Sequence, residues 1–235
     1  MRLRYNWTAL LAVTTLTACQ AGGSGGTATL ESDDEIASYG FGLDIGRSLE
    51  PTVSHLDRAA LIRGIEDALD GREQAIATDQ LAEVTQRVGD LIREEQAAEF
   101  EAMTESNVVE GEAYLATNGE KDGVTTTASG LQYEVLEEGE ADGVMPTPAD
   151  QVSIHYRGTL IDGTEFDSSY SRNQPAAFGV MGVIPGFSEG LQLMRVGSKY
   201  RFVIPSGLAY GPQGAGADIG PNATLIFEIE LLEIF

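Results

Sequence analysis

Few side chains in this chain are equipped for covalent or metal chemistry. Cysteine occurs once, at Cys19, and histidine twice, at His55 and His155. Neither histidine has a cysteine or a second histidine at ligand spacing, so the clusters that hold zinc are not written here. No Ser-His-Asp arrangement is suggested, which leaves nucleophilic hydrolysis without a candidate. Asp162, Glu165 and Asp167 gather around one turn, where Asp162 and Glu165 read as solvated turn residues. The run GAGADIG, residues 214–220, does not lie between a strand and a helix as a phosphate-cradling loop must. What stands out instead is FGVMGVIPGF, residues 178–187, which carries no charge, several large apolar side chains and a Pro-Gly pair. A buried strand rarely contains Pro-Gly, and a solvated loop is rarely this apolar.

Composition narrows the class. A chain of 235 residues, 42% hydrophobic, can bury one large core or two modest ones. Its formal charge of −23 would repel phosphates, and no Lys/Arg stripe appears, which argues against a nucleic-acid partner. The acidic balance reads as a solubilising surface.

The elements that must position any site fall into two halves. From about Asp33 to Asn118 the only proline is Pro51, and the apolar spacing is helical. Asp57 reads as the N-cap of RAALIRGIEDALDG, with Leu61, Ile65 and Leu69 on one stripe and Gly71 as the stop. A longer helix begins at Thr78 or Asp79, keeps its spacing through Leu81, Val84, Val88, Leu91 and Ile92, thins to Phe100, Met103, Tyr114 and Leu115, and ends at Gly119. If continuous it is a rod of ~60 Å. Most of its middle is Glu, Gln and Ala, so propensity alone does not hold it. The helical half has too few large apolar residues for a core of its own. It must fold back on the C-terminal half or pair with a second copy, and the second copy is the preferred reading.

After Gly119 the pattern changes. KDGVTTTASG reads as a polar linker, and from Leu131 onward LQYEV and QVSIHYRGTL alternate with period two. Asp162-Gly163 is a hairpin-turn pair between TLI and TEF. In NATLIFEIELLEIF, Leu225, Phe227, Ile229 and Leu231 share one face while Glu228 and Glu230 share the other. An antiparallel sheet with one wet and one dry face follows. SEGLQLMRVG is the only good helix candidate to cover the dry face.

VSIHYRGTLIDGTEFDSS (152–169), GVIPGFSEGLQLM (182–194), GSKYRFVIPSGLAYG (197–211) and IGPNATLIFEIELL (219–232) occur in an order and spacing by which this half resembles the FKBP-type peptidyl-prolyl cis–trans isomerases. In SYGFGLDIGRSL, IRGIEDALDG and GLQYEVL the chain resembles the macrophage infectivity potentiator-like periplasmic subfamily. The resemblance implies an α+β fold: an N-terminal all-helical dimerisation region with a long linking helix, followed by an FKBP domain in which a twisted antiparallel sheet wraps around one short helix. The expected boundaries are a signal peptide at 1–19, a flexible tether at 20–32, the helical region at 33–118, a linker at 119–128 and the isomerase domain at 129–235. The resemblance also gives the apolar stretch a purpose, as one lip of a hollow that admits a substrate proline. In such proteins the backbone N–H at the position of Ile184 bonds a substrate carbonyl, Val183 and Ile184 form wall, and Phe187 forms the floor. Phe166, Phe178, Ile219 and Phe227 complete the implied binding set. Asp167, Tyr210, Ile184 and Tyr156 form the implied catalytic set, with the Tyr210 hydroxyl holding a carbonyl and Asp167 orienting Tyr156 or meeting the rotating amide oxygen. Phe187 stands where close relatives usually carry Trp, Ala215 where many single-domain members carry His, and Ala176 where eukaryotic relatives carry a bulkier aromatic.

The implied reaction needs no metal or cofactor. Amide resonance sets a barrier of ~18–20 kcal/mol to rotation about X–Pro. The planar amide is more polar than the twisted one, so an apolar cavity favours the transition state over the ground state. Partners are unfolded or partly folded proline-containing proteins, with a second copy of the chain through the N-terminal helices. A holdase chaperone of the same fold, gripping clients with little turnover, is the alternative.

The opening segment MRLRYNWTALLAVTTLTAC has Arg2 and Arg4 before an apolar run too short for a permanent membrane span. Leu16-Thr17-Ala18-Cys19 resembles the bacterial lipobox, in which the cysteine takes lipid and becomes the mature N-terminus. Gln20 follows, where Asp usually retains a lipoprotein at the inner membrane, so the expected location is the periplasm, anchored to the outer membrane. QAGGSGGTATLES then reads as a flexible tether.

Overall fold

The computed structural model describes residues 29–235. The expected leader, Cys19 and the first part of the expected tether lie outside the described residues. The chain divides into two compact units between Arg72 and Glu73.

In the first unit, helix α1 spans Asp33–Ser48. The Ser32 hydroxyl accepts from the Glu35 N–H at 3.3 Å, and the Glu35 carboxylate accepts from the Ser32 N–H at 2.9 Å. This reciprocal pair satisfies two of the donors a helix start leaves open. The backbone N–H groups of Ser32 and Glu31 hold the Glu35 carboxyl down to about 2. A 3-10 turn at Glu50–His55 carries Pro51 in its first positions. Helix α2, Arg58–Leu69, opens where Asp57 accepts the Ala60 N–H at 2.9 Å, as its cap reading requires. Gly71, at φ +64°, follows its end. Neither helix has a buried residue, and Ile36, Tyr39, Phe41 and Leu69 are exposed.

The second unit begins with α3, an unbroken helix of 42 residues at Thr78–Gly119. It matches the expected long helix, although no side chain caps its start. Its last turns are tied to the sheet. Asn118 Nδ2 donates to Gln132 Oε1 at 2.9 Å, and Gln132 Nε2 donates to the Leu115 carbonyl at 2.8 Å.

Seven strands follow: β1 Val124–Thr126, β2 Gln132–Glu137, β3 Gln151–Leu160, β4 Glu165–Ser168, β5 Ala176–Gly179, β6 Lys199–Ile204 and β7 Leu225–Ile234. They form one sheet in the order β1-β2-β6-β7-β3-β4, with β5 also on β3, and every pairing is antiparallel. The β3–β4 turn is the expected Asp162-Gly163, with Gly163 at φ +91°. Along β7 the expected alternation holds, with Leu225, Phe227, Ile229 and Leu231 buried.

Two expectations need correction. The segment 119–128, read as a polar linker, contains β1, whose residues pair with Gln132–Glu134. An edge strand can be polar along its open side, so no apolar alternation marked it. The covering helix is not SEGLQLMRVG as a whole: α4 spans Pro185–Leu191 and starts inside the apolar stretch. Pro185 suits a first helical turn because its missing N–H has no intrahelical role there. Gly186 and Gly190, one turn apart, face β6, and a side chain at either would collide with Ile204 or Phe202. This close approach seals the core between α4 and the sheet, where Leu191, Met194, Phe202, Ile204, Leu225 and Ile229 are fully buried.

Candidate active site

Beyond one end of α4, the dry face of the sheet opens into a cavity of about 640 Å³. Every residue that the sequence placed in the catalytic or binding set lines it. Tyr156 comes from β3, Phe166 and Asp167 from β4, Phe178 from β5 and Phe227 from β7. Val183 and Ile184 lead into α4, Phe187 sits in its first turn, and Tyr210 and Ile219 belong to the loops between β6 and β7.

The floor is a set of aromatic rings meeting edge to face. Phe187 lies 5.0 Å from Phe227 at 87° and 6.2 Å from Tyr156 at 87°, centroid to centroid. Phe166 meets Phe227 at 5.5 Å and 81°, and Phe178 meets Tyr156 at 5.8 Å. Edge-to-face contact sets the positive rim of one ring on the negative face of the next, so each ring fixes its neighbours. Phe187, Phe227 and Tyr156 are no more than 5% exposed.

Strict alternation would send either Phe166 or Asp167 to the wet face. Both reach the cavity because β4 is irregular there: Gly158 pairs with Asp167, but Thr159 pairs with Glu165, which leaves Phe166 as an extra residue. Such a bulge re-aims a side chain at the strand's edge. Gly158 on β3 makes room for it. A Cβ there would lie 2.6 Å from Phe166 and 2.8 Å from Phe227.

The rim is polar. The Tyr156 hydroxyl donates to Asp167 in a short hydrogen bond, and Arg172 donates to Asp167 at 2.6 Å and to the Tyr156 hydroxyl oxygen at 2.8 Å. The Arg172 guanidinium also lies 5.7 Å from the Tyr156 ring centroid. Burial alone would raise the Asp167 carboxyl, yet the hydrogen bonds from Tyr156 and Arg172 outweigh it and hold that group below the usual carboxylate range. Burial, then the hydrogen bond to Asp167, pushes the Tyr156 hydroxyl above its ordinary value, with Arg172 opposing. The trio therefore stays as a carboxylate, a neutral phenol and a guanidinium across the neutral range. Tyr210, also on the cavity wall, is 41% exposed. Among the described residues, neither its hydroxyl nor the Ile184 N–H has a hydrogen-bond partner.

Sequence reasoning missed Arg172 and Gly158, and it did not place Asp218 on the cavity wall. Arg172 lies in the β4–β5 loop, five residues from Asp167, with no pattern to link them. His155 lies beside Tyr156 on β3, is half-buried, stacks on Tyr170 at 4.8 Å and shares a hydrogen bond with the Ser169 hydroxyl at 3.0 Å. It does not line the cavity.

The fold and cavity define a class, a largely apolar hollow between a sheet and a short helix, and comparison with known proteins identifies it. Residues 143–232 match the family model described as FKBP-type peptidyl-prolyl cis-trans isomerase, and residues 34–135 match the model for the domain amino terminal to it. The chain belongs to the FKBP-type peptidyl-prolyl cis–trans isomerases and is an enzyme of that class. It is 47% identical over 213 residues to the FKBP-type 22 kDa peptidyl-prolyl cis-trans isomerase of Escherichia coli K12, covering 88% of this chain and 98% of that one. It is 37% identical over 206 residues to the outer membrane protein MIP of Legionella longbeachae, covering 88% of each. Among solved structures, FkpA from Escherichia coli superimposes with a TM-score of 0.65 at 36% identity, over 87% of this chain and 97% of that one.

Proposed function

We propose that the cavity binds a prolyl side chain on the floor of Phe187, Phe227 and Tyr156, with the X–Pro amide lying across the rim. The observation that carries this reading is the division of the site. Its floor and walls are aromatic and aliphatic, and its polar groups stand at the edge. A planar amide that enters such a space loses hydration that its twisted form needs less, so the barrier falls. The Ile184 N–H and the Tyr210 hydroxyl, both without protein partners, each accept the role of holding a substrate carbonyl and fix the amide's orientation. Asp167, anchored by Tyr156 and Arg172, keeps a negative charge beside the rotating group and locks the Tyr156 ring in the wall. Each ~1.4 kcal/mol of preferential stabilisation gives about tenfold in rate.

The test is a protease-coupled assay on a proline peptide, run beside suppression of aggregation of an unfolded client. Tyr210→Phe and Asp167→Ala are expected to lower kcat/KM while leaving most of the aggregation suppression. Loss of both activities in step would sink this division of roles, and wild-type protein that speeds no peptide would favour simple client holding.

The clients are unfolded or partly folded proteins of the cell envelope, and the enzyme is held there by lipid on Cys19. The lipobox-like Leu16–Cys19 and the likeness to an outer membrane protein support that location. The N-terminal helices pair with a second copy of the chain. Support comes from α1 and α2, which bury no residue in a single chain while exposing Ile36, Tyr39, Phe41 and Leu69. Two linked sites would grip one client twice and gain avidity from the tether. Sedimentation of protein lacking residues 1–31 decides the pairing, since a monomer at all concentrations removes it. Labelling with a lipid precursor in cells, with Cys19→Ser as control, decides the anchor.

A further inference from the structure

The long helix is more than a spacer, because its residues 103–111 are packed against one lip of the cavity. That lip is the segment 211–224, which contributes Ala215, Asp218 and Ile219 to the cavity and directly follows Tyr210. The lip holds its own shape through a few backbone bonds. Ala215 and Ile219 exchange two of them, at 2.8 and 3.1 Å, and the Asn222 N–H donates to the Gly211 carbonyl at 2.8 Å. None of these ties the lip to the sheet.

Helix α3 does tie it down. Asn107 Nδ2 donates to the Pro221 carbonyl at 2.7 Å, a half-buried contact between residues 114 apart in sequence. Pro221 immediately precedes Asn222, the residue that closes the lip onto Gly211 beside Tyr210. Small residues on both sides allow the approach. A Cβ at Gly111 on the helix would lie 2.5 Å from the Thr224 hydroxyl, and one at Gly220 on the lip would lie 2.8 Å from Met103 Sδ and 3.1 Å from Asn107 Nδ2. A cleft of about 270 Å³ beside this contact is lined by Met103, Asn107 and Asp218, and Asp218 also lines the catalytic cavity. The lip is therefore a thin wall with the helix on one side and the substrate space on the other.

We infer that Asn107 is a positioning residue for catalysis: through the Pro221 carbonyl it holds the lip that carries Ile219 and sets the place of Tyr210. A proline carbonyl in a loop is an acceptor without an N–H of its own to pair the residue into a ladder, so this side chain supplies a tether that no strand provides. The inference rests on the cavity being the site of turnover, which wild-type protein in the same assay tests separately.

The experiment uses the full chain carrying Asn107→Ala, with Asn107→Asp as a near-isosteric partner that cannot donate to the carbonyl. Ser106→Ala, which alters only a surface contact with Glu110, serves as the helix control. Two quantities are read: kcat/KM on a proline peptide, and amide hydrogen exchange across 211–224 and across the β6–β7 pair. Loss of a side-chain-to-backbone hydrogen bond corresponds to a fall of about fivefold in kcat/KM. Both Asn107 variants are expected to show that fall with faster exchange in the lip and unchanged exchange in β6 and β7, while Ser106→Ala matches wild type. Unchanged kcat/KM overturns the inference, as does a fall without faster exchange in the lip. A fall accompanied by faster exchange through the whole sheet also overturns it, because Asn107 would then act only on folding. If wild-type protein shows no turnover, it is the cavity reading that fails, whatever the Asn107 variants do.

Discussion

The glycine at 158 offers a test in which two opposite effects can be weighed. In an ordinary strand interior, Gly→Ala stabilises by roughly 0.5–1 kcal/mol, because alanine has less freedom to lose. At Gly158 the new methyl would lie 2.6 and 2.7 Å from two Phe166 ring atoms and 2.8 Å from Phe227. Comfortable carbon contacts are ~3.5–4.0 Å, so the overlap is about 1 Å on two rings at once. Overpacking of that kind costs ~1–3 kcal/mol, which outweighs the strand gain. The rings have one way to yield. Gly158 is directly opposite Phe227 on β7 and beside the bulge that carries Phe166, so the sheet is behind them and the cavity in front. Net of the strand gain about 0.5–2.5 kcal/mol remains, so Gly158→Ala should lower the melting temperature by roughly 1–10 °C, at ~2–4 °C per kcal/mol for a unit of this size. Rings pushed into the substrate space should also lower kcat/KM by about tenfold or more, ~1.4 kcal/mol of transition-state binding. Thermal unfolding by circular dichroism and the protease-coupled assay, both on the intact chain, read the two effects. A raised melting temperature would refute the packing argument. A lowered one with unchanged turnover per folded molecule would mean that Phe166 and Phe227 belong to the core and not to a working cavity.

Other perturbations follow from the same geometry. Arg172→Ala removes an ion pair whose partners are about half exposed, so solvent screening leaves stability almost unchanged. Its kcat/KM should fall severalfold as Asp167 and Tyr156 lose a shared donor; a large stability loss with full activity would contradict this. Because the Asp167 carboxyl is held below its usual range in the folded protein, its contribution to stability is present above the unfolded carboxylate pKa of ~3.9 and is lost as pH falls through the folded value. Asp167→Asn should therefore flatten the acid limb of stability below about pH 4, which acid titration of unfolding reads directly. The Tyr156 hydroxyl is shifted the other way, so its contribution is present below the unfolded pKa of ~10 and fades as pH rises beyond it; Tyr156→Phe should flatten the alkaline limb. The charge of −23 should make the melting temperature rise as salt shortens the Debye length from ~30 Å at 0.01 M to ~8 Å at 0.15 M, and a flat salt response would show that self-repulsion is already neutralised locally.

How much of this was legible in the sequence depended on whether the deciding contact is local. The β7 alternation from Leu225 to Leu231, the Asp162-Gly163 turn, the Asp57 cap and the long run from Thr78 to Gly119 are each set by neighbours within a few residues, and each is found where it was expected. The polar strand β1 was invisible because only its pairing with β2 makes it a strand. The cavity residues were reached through family resemblance; periodicity alone would have left Tyr156, Phe178 and Phe227 as ordinary core. Arg172 and Asn107 escaped because their partners lie across loops, and nothing in SRNQ or TESNVV announces them. Phe166 escaped alternation because a bulge sets its direction, and a bulge has no simple sequence pattern.

The same lengths explain why the apolar stretch exists at all. β3 and β7 each run ten residues, or ~33 Å of dry face. Helix α4 has seven residues, or roughly 10 Å. A helix that short cannot cover the face, and where Gly186 and Gly190 press it onto β6 the core is sealed. Past that contact, Tyr156, Phe166 and Phe227 face open space with Phe187 at the boundary. Val183 and Ile184 must then be apolar, because they border uncovered core, and the Ile184 N–H is left unpaired among the described residues just ahead of the helix that Pro185 starts. Core and site are thus one continuous surface, divided only by where the helix stops. On the proposed function, a substrate proline completes the packing that α4 leaves unfinished, and burial, with no reactive side chain, is then the means of catalysis.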